Sequence, residues 1–257
     1  MINIVKKAAI EAGEIALSYF NKTHTYHQKD EASNFSTEAD LASEKAIHAV
    51  VKKYYPDHNF LSEEMGFIDN HGEYTWVCDP IDGTFAYSRG LPYWGVSIGV
   101  FHGLSLVFGV INMPLFNNLY YGQKGMGVFC NNLSLSLSCE EKLEKSLIAM
   151  ELGYFNSRKK QTLPFSVLFG DCPATYCISN CTVYDLALVA SGLADGFIEE
   201  TPFIWDIAAG VLLIEELGGK VTDWKGQKIE WKFDTKQRYK TIASNGLIHK
   251  KIQKYFL

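Results

Sequence analysis

Between Ile2 and Phe20 apolar residues recur at Val5, Ala8, Ala9, Ala12, Ile15, Ala16 and Tyr19, while Lys6, Lys7, Glu11 and Glu14 fall largely on other faces. That is the period of an amphipathic helix. From Asn21 to Ser36 the chain turns polar, rich in His, Lys, Asp, Ser and Asn, and reads as a loop or flap. Ser36 or Thr37 can then cap a second helix through about Tyr54, with Asp40 in its first turns. Beyond Pro56 the texture changes. NFLSEE and EYTWVCDP read as short strands, the second running apolar into Asp79, and WGVSIGVF, LSLVFGVIN and LYYGQKG are further strand-like runs. Gly103 and a Pro114–Asn118 turn punctuate them, and GMGVFCNN has the glycine and asparagine density of a hairpin.

The second half alternates differently. LEKSLIAMELG is expected to end as a strand, Ser157–Phe169 to be helical, and TVYDLALVASG to be a helix stopped by Gly192. ADGFIEE is strand-like, Asp206–Leu217 is a helix closed by Gly218-Gly219, and KVTDW and YKTIASN are strands before a last helix to Phe256. No repeat or low-complexity linker interrupts the order. Strands and helices mix throughout, which predicts a layered α/β sandwich in a single unit, residues 1–257, with a soft seam between two lobes near residue 145.

Composition narrows the function classes. With 47% hydrophobic residues, a chain of 257 can bury a sizeable core, so a disordered or collagen-like chain is excluded. A net charge of -5 gives a polyanion no overall attraction, which argues against bulk nucleic-acid binding. The longest apolar runs fall short of the roughly 20 residues that span a bilayer. Glu11 and Glu14 interrupt any N-terminal signal-like stretch. Six sparse cysteines form no zinc knuckle; Cys177 and Cys181 are four apart, as helix-borne ligands could be, but lack a matching His pair. They read as reduced packing thiols in a cytoplasmic protein.

Three acidic clusters stand at the ends of predicted elements: Ser62-Glu63-Glu64, Asp79-Pro80-Ile81-Asp82-Gly83-Thr84, and Trp205-Asp206. Carboxylates converging at strand ends repel one another unless cations lie between them. An oxygen-only donor set suits hard ions, chiefly Mg²⁺. Gly83 and Thr84 stand at a strand-to-helix junction whose free N–H groups can hold a phosphate. Carboxylate-held metals beside an amide nest suit phosphoryl transfer. Singly, each piece has a plainer reading: Asp-Gly is usually a turn, tandem glutamates are mostly solvated, and Asp at a helix start is mostly a cap.

FLSEEMG, WVCDPIDGTFAYSRGLPYWGVSIGV and IWDIAAGVLLIEELGGKV, with STEAD ahead of them, resemble the inositol monophosphatase family of Mg²⁺-dependent, lithium-sensitive phosphatases. The resemblance runs in order from about Lys29 to Val221. It implies an α-β-α-β-α sandwich, commonly a homodimer, acting on a small phosphorylated metabolite with two or three Mg²⁺ ions. Glu63, Asp79 and the Ile81 carbonyl would hold a first metal; Asp79, Asp82 and Asp206 a second; a third, weaker ion would lie near Glu63. Thr84 and Glu63 would orient the attacking water, with Asp40 hydrogen-bonded to Thr84. The Gly83 and Thr84 amides would receive phosphate oxygens, and Glu199 would grip a substrate hydroxyl.

One departure stands out. Ahead of the TVYDLALVASG helix the family usually shows Gly, then Ser or Thr, then Ala, whereas this chain has Cys181-Thr182-Val183. Thr182 and Val183 therefore enter the expected substrate set, with the larger side chains of Cys181 and Val183 narrowing the leaving-group pocket. Tyr93 and Trp94 either line the site mouth or pack in the core. Histidinol phosphate, fructose 1,6-bisphosphate and 3′-phosphoadenosine phosphates are alternative substrates within the same fold, and a regulatory binding protein is the alternative outside enzymology. A haloacid-dehalogenase-like phosphatase needs two Asp residues two apart; Asp79 and Asp82 are three apart.

Overall fold

The computed structural model describes residues 1–23, 25–28, 35–152, 165–168, 170–172, 174–176 and 179–257. The N-terminal helical period becomes α1 (Ile2–Tyr19). The polar stretch after it is more than a loop: β1 (Tyr26–Gln28) and β2 (Phe35–Thr37) pair antiparallel. All three β1 residues are exposed, so no apolar alternation announces the strand. Thr37 then caps α2 (Glu38–Tyr54), its hydroxyl accepting from Ala39 N–H while Asp40 accepts from Thr37 N–H.

Eight strands form the larger sheet, in the order β10-β9-β8-β7-β6-β5-β3-β4. They are β3 (Asn59–Ser62), β4 (Gly66–Ile68), β5 (Tyr74–Asp82), β6 (Gly95–His102), β7 (Ser105–Met113), β8 (Asn118–Gln123), β9 (Val128–Cys130) and β10 (Leu133–Ser134), with the short α3 (Thr84–Ser88) after β5. Only β3 and β5 pair in parallel; the rest of this sheet is antiparallel. The glycine- and asparagine-rich segment is a hairpin as expected. Asn131 and Asn132 both take positive φ between β9 and β10, the twist that a two-residue hairpin loop needs.

The smaller sheet has the order β12-β11-β13-β15-β14, from β11 (Leu147–Glu151), β12 (Ala174–Tyr176), β13 (Gly196–Glu199), β14 (Lys220–Thr222) and β15 (Thr241–Ser244). The remaining helices are α4 (Thr182–Ala190), α5 (Ile204–Glu216) and α6 (His249–Gln253). The last ends at Gln253 rather than at the expected Phe256. The helix expected over Ser157–Phe169 lies mostly outside the described residues; residues 165–168 are helical.

Side-chain alternation stacks these elements into five layers. On β5, Trp76 and Cys78 face a core shared with Val5, Ala8 and Ala12 of α1 and Ile47 and Val51 of α2. Val77, on the opposite face, joins Leu186 of α4 and Ala208, Val211 and Leu212 of α5. Ala149, Phe197 and Ala243 of the smaller sheet close that same middle core. Their neighbours Ile148, Ile198 and Ile242 turn outward to Ile248 and Ile252 around α6. Helices, sheet, helices, sheet, helices: the α-β-α-β-α sandwich is present. Its middle layer is tight. A Cβ on Gly109 would lie 2.6 Å from the Ala209 carbonyl oxygen, so α5 sits almost directly on β7.

Candidate active site

Strand ends and helix starts meet at one place. β5 delivers Asp79 and Asp82, α5 delivers Asp206 from its first turn, and one carboxylate oxygen of each lies within 4.8 Å of the others. A register shift between Asp79 and Asp82 bends β5 there, where Pro80 interrupts the ladder with β6. Asp79 is buried while Asp82 and Asp206 are half-buried, so the cluster stays reachable from solvent.

Each carboxylate is aimed by backbone. Asp79 Oδ1 accepts Ile81 N–H at 2.9 Å, Asp82 Oδ2 accepts Val183 N–H at 2.6 Å, and Asp206 Oδ2 accepts Phe203 N–H at 2.7 Å. Such help is modest against the repulsion. A helix N-terminus favours an anion by about 0.3–1 kcal/mol, whereas burying one unpaired ion costs several. The protein alone therefore keeps protons here. Burial, then the charges of Glu63, Asp82 and Asp206, pushes Asp79 well above the usual carboxylate range. Burial and Asp206 do the same to Asp82, and burial and Glu63 push Asp206 to about 7. A divalent cation would replace those protons. The donors are all oxygen, which fits Mg²⁺.

Around the cluster, Thr84 Oγ1 lies 3.1 Å from Asp40 Oδ1 and 3.0 Å from the Ile81 carbonyl oxygen. The expected Asp40–Thr84 link is thus present, and the Ile81 carbonyl is already engaged with Thr84. Asp40 is fully buried; burial pushes it to about 7 against the opposing hydrogen bonds from Thr37. Glu63 follows β3 and acts on Asp79, Asp206 and Asp40 through its charge, although it lies outside the three-carboxylate cluster. Gly83, at the start of α3, has φ +83, and a Cβ there would lie 2.6 Å from the Tyr93 carbonyl oxygen and 2.9 Å from Cys181 Cβ. Only glycine fits.

Residues 1–256 match the model of the inositol monophosphatase family. The chain belongs to that family. It is 31% identical over 228 residues to the fructose-1,6-bisphosphatase/inositol-1-monophosphatase of Aquifex aeolicus, covering 86% of this chain and 84% of that one. It is 34% identical over 231 residues to Nus factor SuhB of Xylella fastidiosa, covering 88% and 82%. The crystal structure of the extragenic suppressor protein suhB from Bartonella henselae superposes with a TM-score of 0.91 at 29% identity, over 99% of this chain and 97% of that chain. Within this family the haloacid-dehalogenase-like alternative no longer applies.

The departure from the family's Gly-(Ser/Thr)-Ala pattern falls at the turn that starts α4. Cys181 is 1% exposed and its Sγ lies 3.3 Å from Asp82 Oδ2; Val183 is 0% exposed and packs in the middle core. The added volume of Cys181 lies against a site carboxylate and that of Val183 in the middle core. Thr182 and Glu199 do come together, Oγ1 to Oε2 at 2.6 Å, and burial pushes Glu199 well above the usual range. Trp94 is core, against Tyr87 and Phe20; Tyr93 is half-buried against Tyr184.

Other contributors carry no motif. Glu44 accepts the N–H groups of Glu64 and Met65 and so fixes the turn after Glu63; its spacing of four from Asp40 on α2 was the available signal. Arg238 lies 3.4 Å over the Phe203 ring and donates to the Thr201 carbonyl, and its charge opposes the upward push on Asp206. Nothing local in the sequence marks Arg238. The free thiols are Cys78, Cys130, Cys139, Cys172 and Cys181 among the described residues; Cys177 lies outside them.

Proposed function

We propose that this chain is a Mg²⁺-dependent phosphatase of a small phosphate monoester, with inositol monophosphate the leading substrate and fructose 1,6-bisphosphate, histidinol phosphate and 3′-phosphoadenosine phosphate the alternatives. The observation that carries the reading is the convergence of Asp79, Asp82 and Asp206 within 4.8 Å at the ends of β5 and the start of α5. Those residues, with Glu63 and the Ile81 carbonyl, would hold two or three Mg²⁺ ions. When bound, Mg²⁺ supplies charge neutralisation to the phosphate and eases proton loss from water.

The remaining work falls to the chain itself. The Gly83 and Thr84 amides face a phosphate as hydrogen-bond donors. Thr84 and Glu63 orient a water in line with the leaving group. Thr84 has one hydroxyl proton for two acceptors, so with Asp40 protonated, the Asp40 O–H donates to Thr84 and Thr84 donates to the Ile81 carbonyl. Thr182 and Glu199 meet the leaving alcohol. No residue forms a covalent intermediate. Single-turnover hydrolysis of a chiral phosphate in ¹⁸O water tests this: one solvent oxygen with inversion at phosphorus is expected, and a trapped aspartyl-phosphate overturns direct attack.

The same reading makes the protein a lithium-sensitive cytoplasmic homodimer; the net charge of -5 supports the absence of bulk nucleic-acid binding. Among the described residues no helix is long and apolar enough to cross a membrane. A second reading, a regulatory binding protein that keeps the fold, is favoured by the relative named Nus factor SuhB. Absence of Mg²⁺-dependent turnover by the purified chain would favour this second reading.

A further inference from the structure

Behind the site, three buried polar side chains meet: Glu151 at the end of β11, Ser179, and Asp185 in the first turn of α4. Ser179 Oγ lies 2.8 Å from Glu151 Oε1 and 2.9 Å from Asp185 Oδ1. A serine hydroxyl has one proton and can donate to only one of them, so the other carboxyl must donate to it. Glu151 Oε1 also accepts Cys181 N–H at 3.2 Å, which suits a carboxylate. The proton therefore belongs to Asp185. The donors converge on Glu151: Asp185 O–H to Ser179, Ser179 O–H to Glu151, and Cys181 N–H to Glu151, shared with Ser179 Oγ at 3.3 Å.

The far side of this turn holds the site. Val183 N–H and the Cys181 thiol donate to Asp82 Oδ2, at 2.6 and 3.3 Å, and the Thr182 hydroxyl donates to Glu199. We propose that Asp185, carried in its neutral form, is a positioning residue that fixes the Cys181–Val183 turn through Ser179 and Glu151, and thereby holds Asp82 in its metal-binding orientation. The proposal rests on the reading of Asp82 as a metal ligand. A helix N-terminus would ordinarily favour an ionised Asp at this place. Here burial and the Glu151 charge prevail and push Asp185 well above the usual range; Glu151 is raised too, against hydrogen bonds from Ser179 and Cys181. The groups facing the pair are Asp82 from β5, Glu199 from β13 and the Cys181 thiol. Among the described residues no cation is hydrogen-bonded to either carboxyl, and the charges of Glu151 and Asp82 both act to keep the proton on Asp185.

The test uses the full chain, with infrared difference spectroscopy and Mn²⁺ titration at pH 7. A protonated-carboxyl C=O band is expected in the parent and lost in Asp185→Asn. The amide still donates to Ser179, so Asp185→Asn should bind Mn²⁺ within about threefold of the parent, while Asp185→Leu should bind about tenfold or more weakly. Ser179→Ala should weaken binding similarly and serves if Asp185→Leu does not fold. Three results overturn the proposal: no such band in the parent, a band that survives Asp185→Asn, or Asn and Leu variants of equal affinity. None of these needs turnover. A protein that binds Mn²⁺ but hydrolyses no phosphate ester sinks the phosphatase reading and leaves the brace decided by band and affinity.

Discussion

Asp82 is pulled three ways. Its Oδ2 takes the Val183 amide and the Cys181 thiol, and one oxygen of the carboxyl joins Asp79 and Asp206. Asp82→Asn keeps the hydrogen-bonding shape but loses the charge that a cation needs. We expect kcat to fall by ~100-fold or more with the fold intact, measured by phosphate release and circular dichroism. Gly83→Ala has a different signature. A left-handed φ of +83 and a Cβ 2.6 Å from a carbonyl oxygen should cost about 1–3 kcal/mol, visible as a lower urea midpoint before any kinetic assay. At this scale the carboxylates were legible because they lie in two short motifs. The orientation of Cys181 and Val183 was not: volume can be read from a sequence, but its direction is set by backbone angles. Glu151, Ser179 and Asp185 escaped for a related reason. The Glu151–Ser179 contact joins residues 28 apart, and no local pattern reports it.

Capping ties an element to the site at Thr37. Its side chain and amide both meet Asp40, whose other oxygen meets Thr84, so the N-terminus of α2 and the start of α3 share one carboxyl. Thr37→Ala should cost about 1 kcal/mol from the lost cap. It should also lower kcat more than it raises KM, because Asp40 loses its support while the phosphate-binding amides remain. An equal loss in a variant capped by Ser would contradict this, since Ser restores both hydrogen bonds. Helix caps and glycine stops were readable: Thr37, Gly192 and Gly218 end or begin elements where expected. β1 and β4 were not, being three residues each with no fully buried position.

The whole molecule brings buried acids together with few cations, and its pH response follows. Asp40 and Asp206 titrate near pH 7 in the metal-free protein and near 4 unfolded. The raised folded values mean that the neutral forms are favoured by folding. Their contribution to stability is present below about pH 4 and is lost as pH rises through 7. Metal-free protein should therefore melt roughly 5–10 °C lower at pH 8 than at pH 5, and Mg²⁺ should raise the midpoint more at pH 8, where it meets ionised ligands. A midpoint that rises with pH in the presence of EDTA would contradict the buried, protonated cluster. A layered α/β architecture was legible from the mixture of periods, because each sheet is covered on both faces and its strands read as apolar runs; the count of five layers came from the family resemblance.

The central claim is that these carboxylates make a Mg²⁺-dependent phosphatase. Phosphate release by the purified chain is to be followed on inositol 1-phosphate, histidinol phosphate, fructose 1,6-bisphosphate and 3′-phosphoadenosine 5′-phosphate, with Mg²⁺, with EDTA, and with Asp82→Asn. Turnover of at least one ester with Mg²⁺, abolished by EDTA and by Asp82→Asn, is the expected result. Release that persists in EDTA, or none from any ester at any Mg²⁺ concentration, would contradict it.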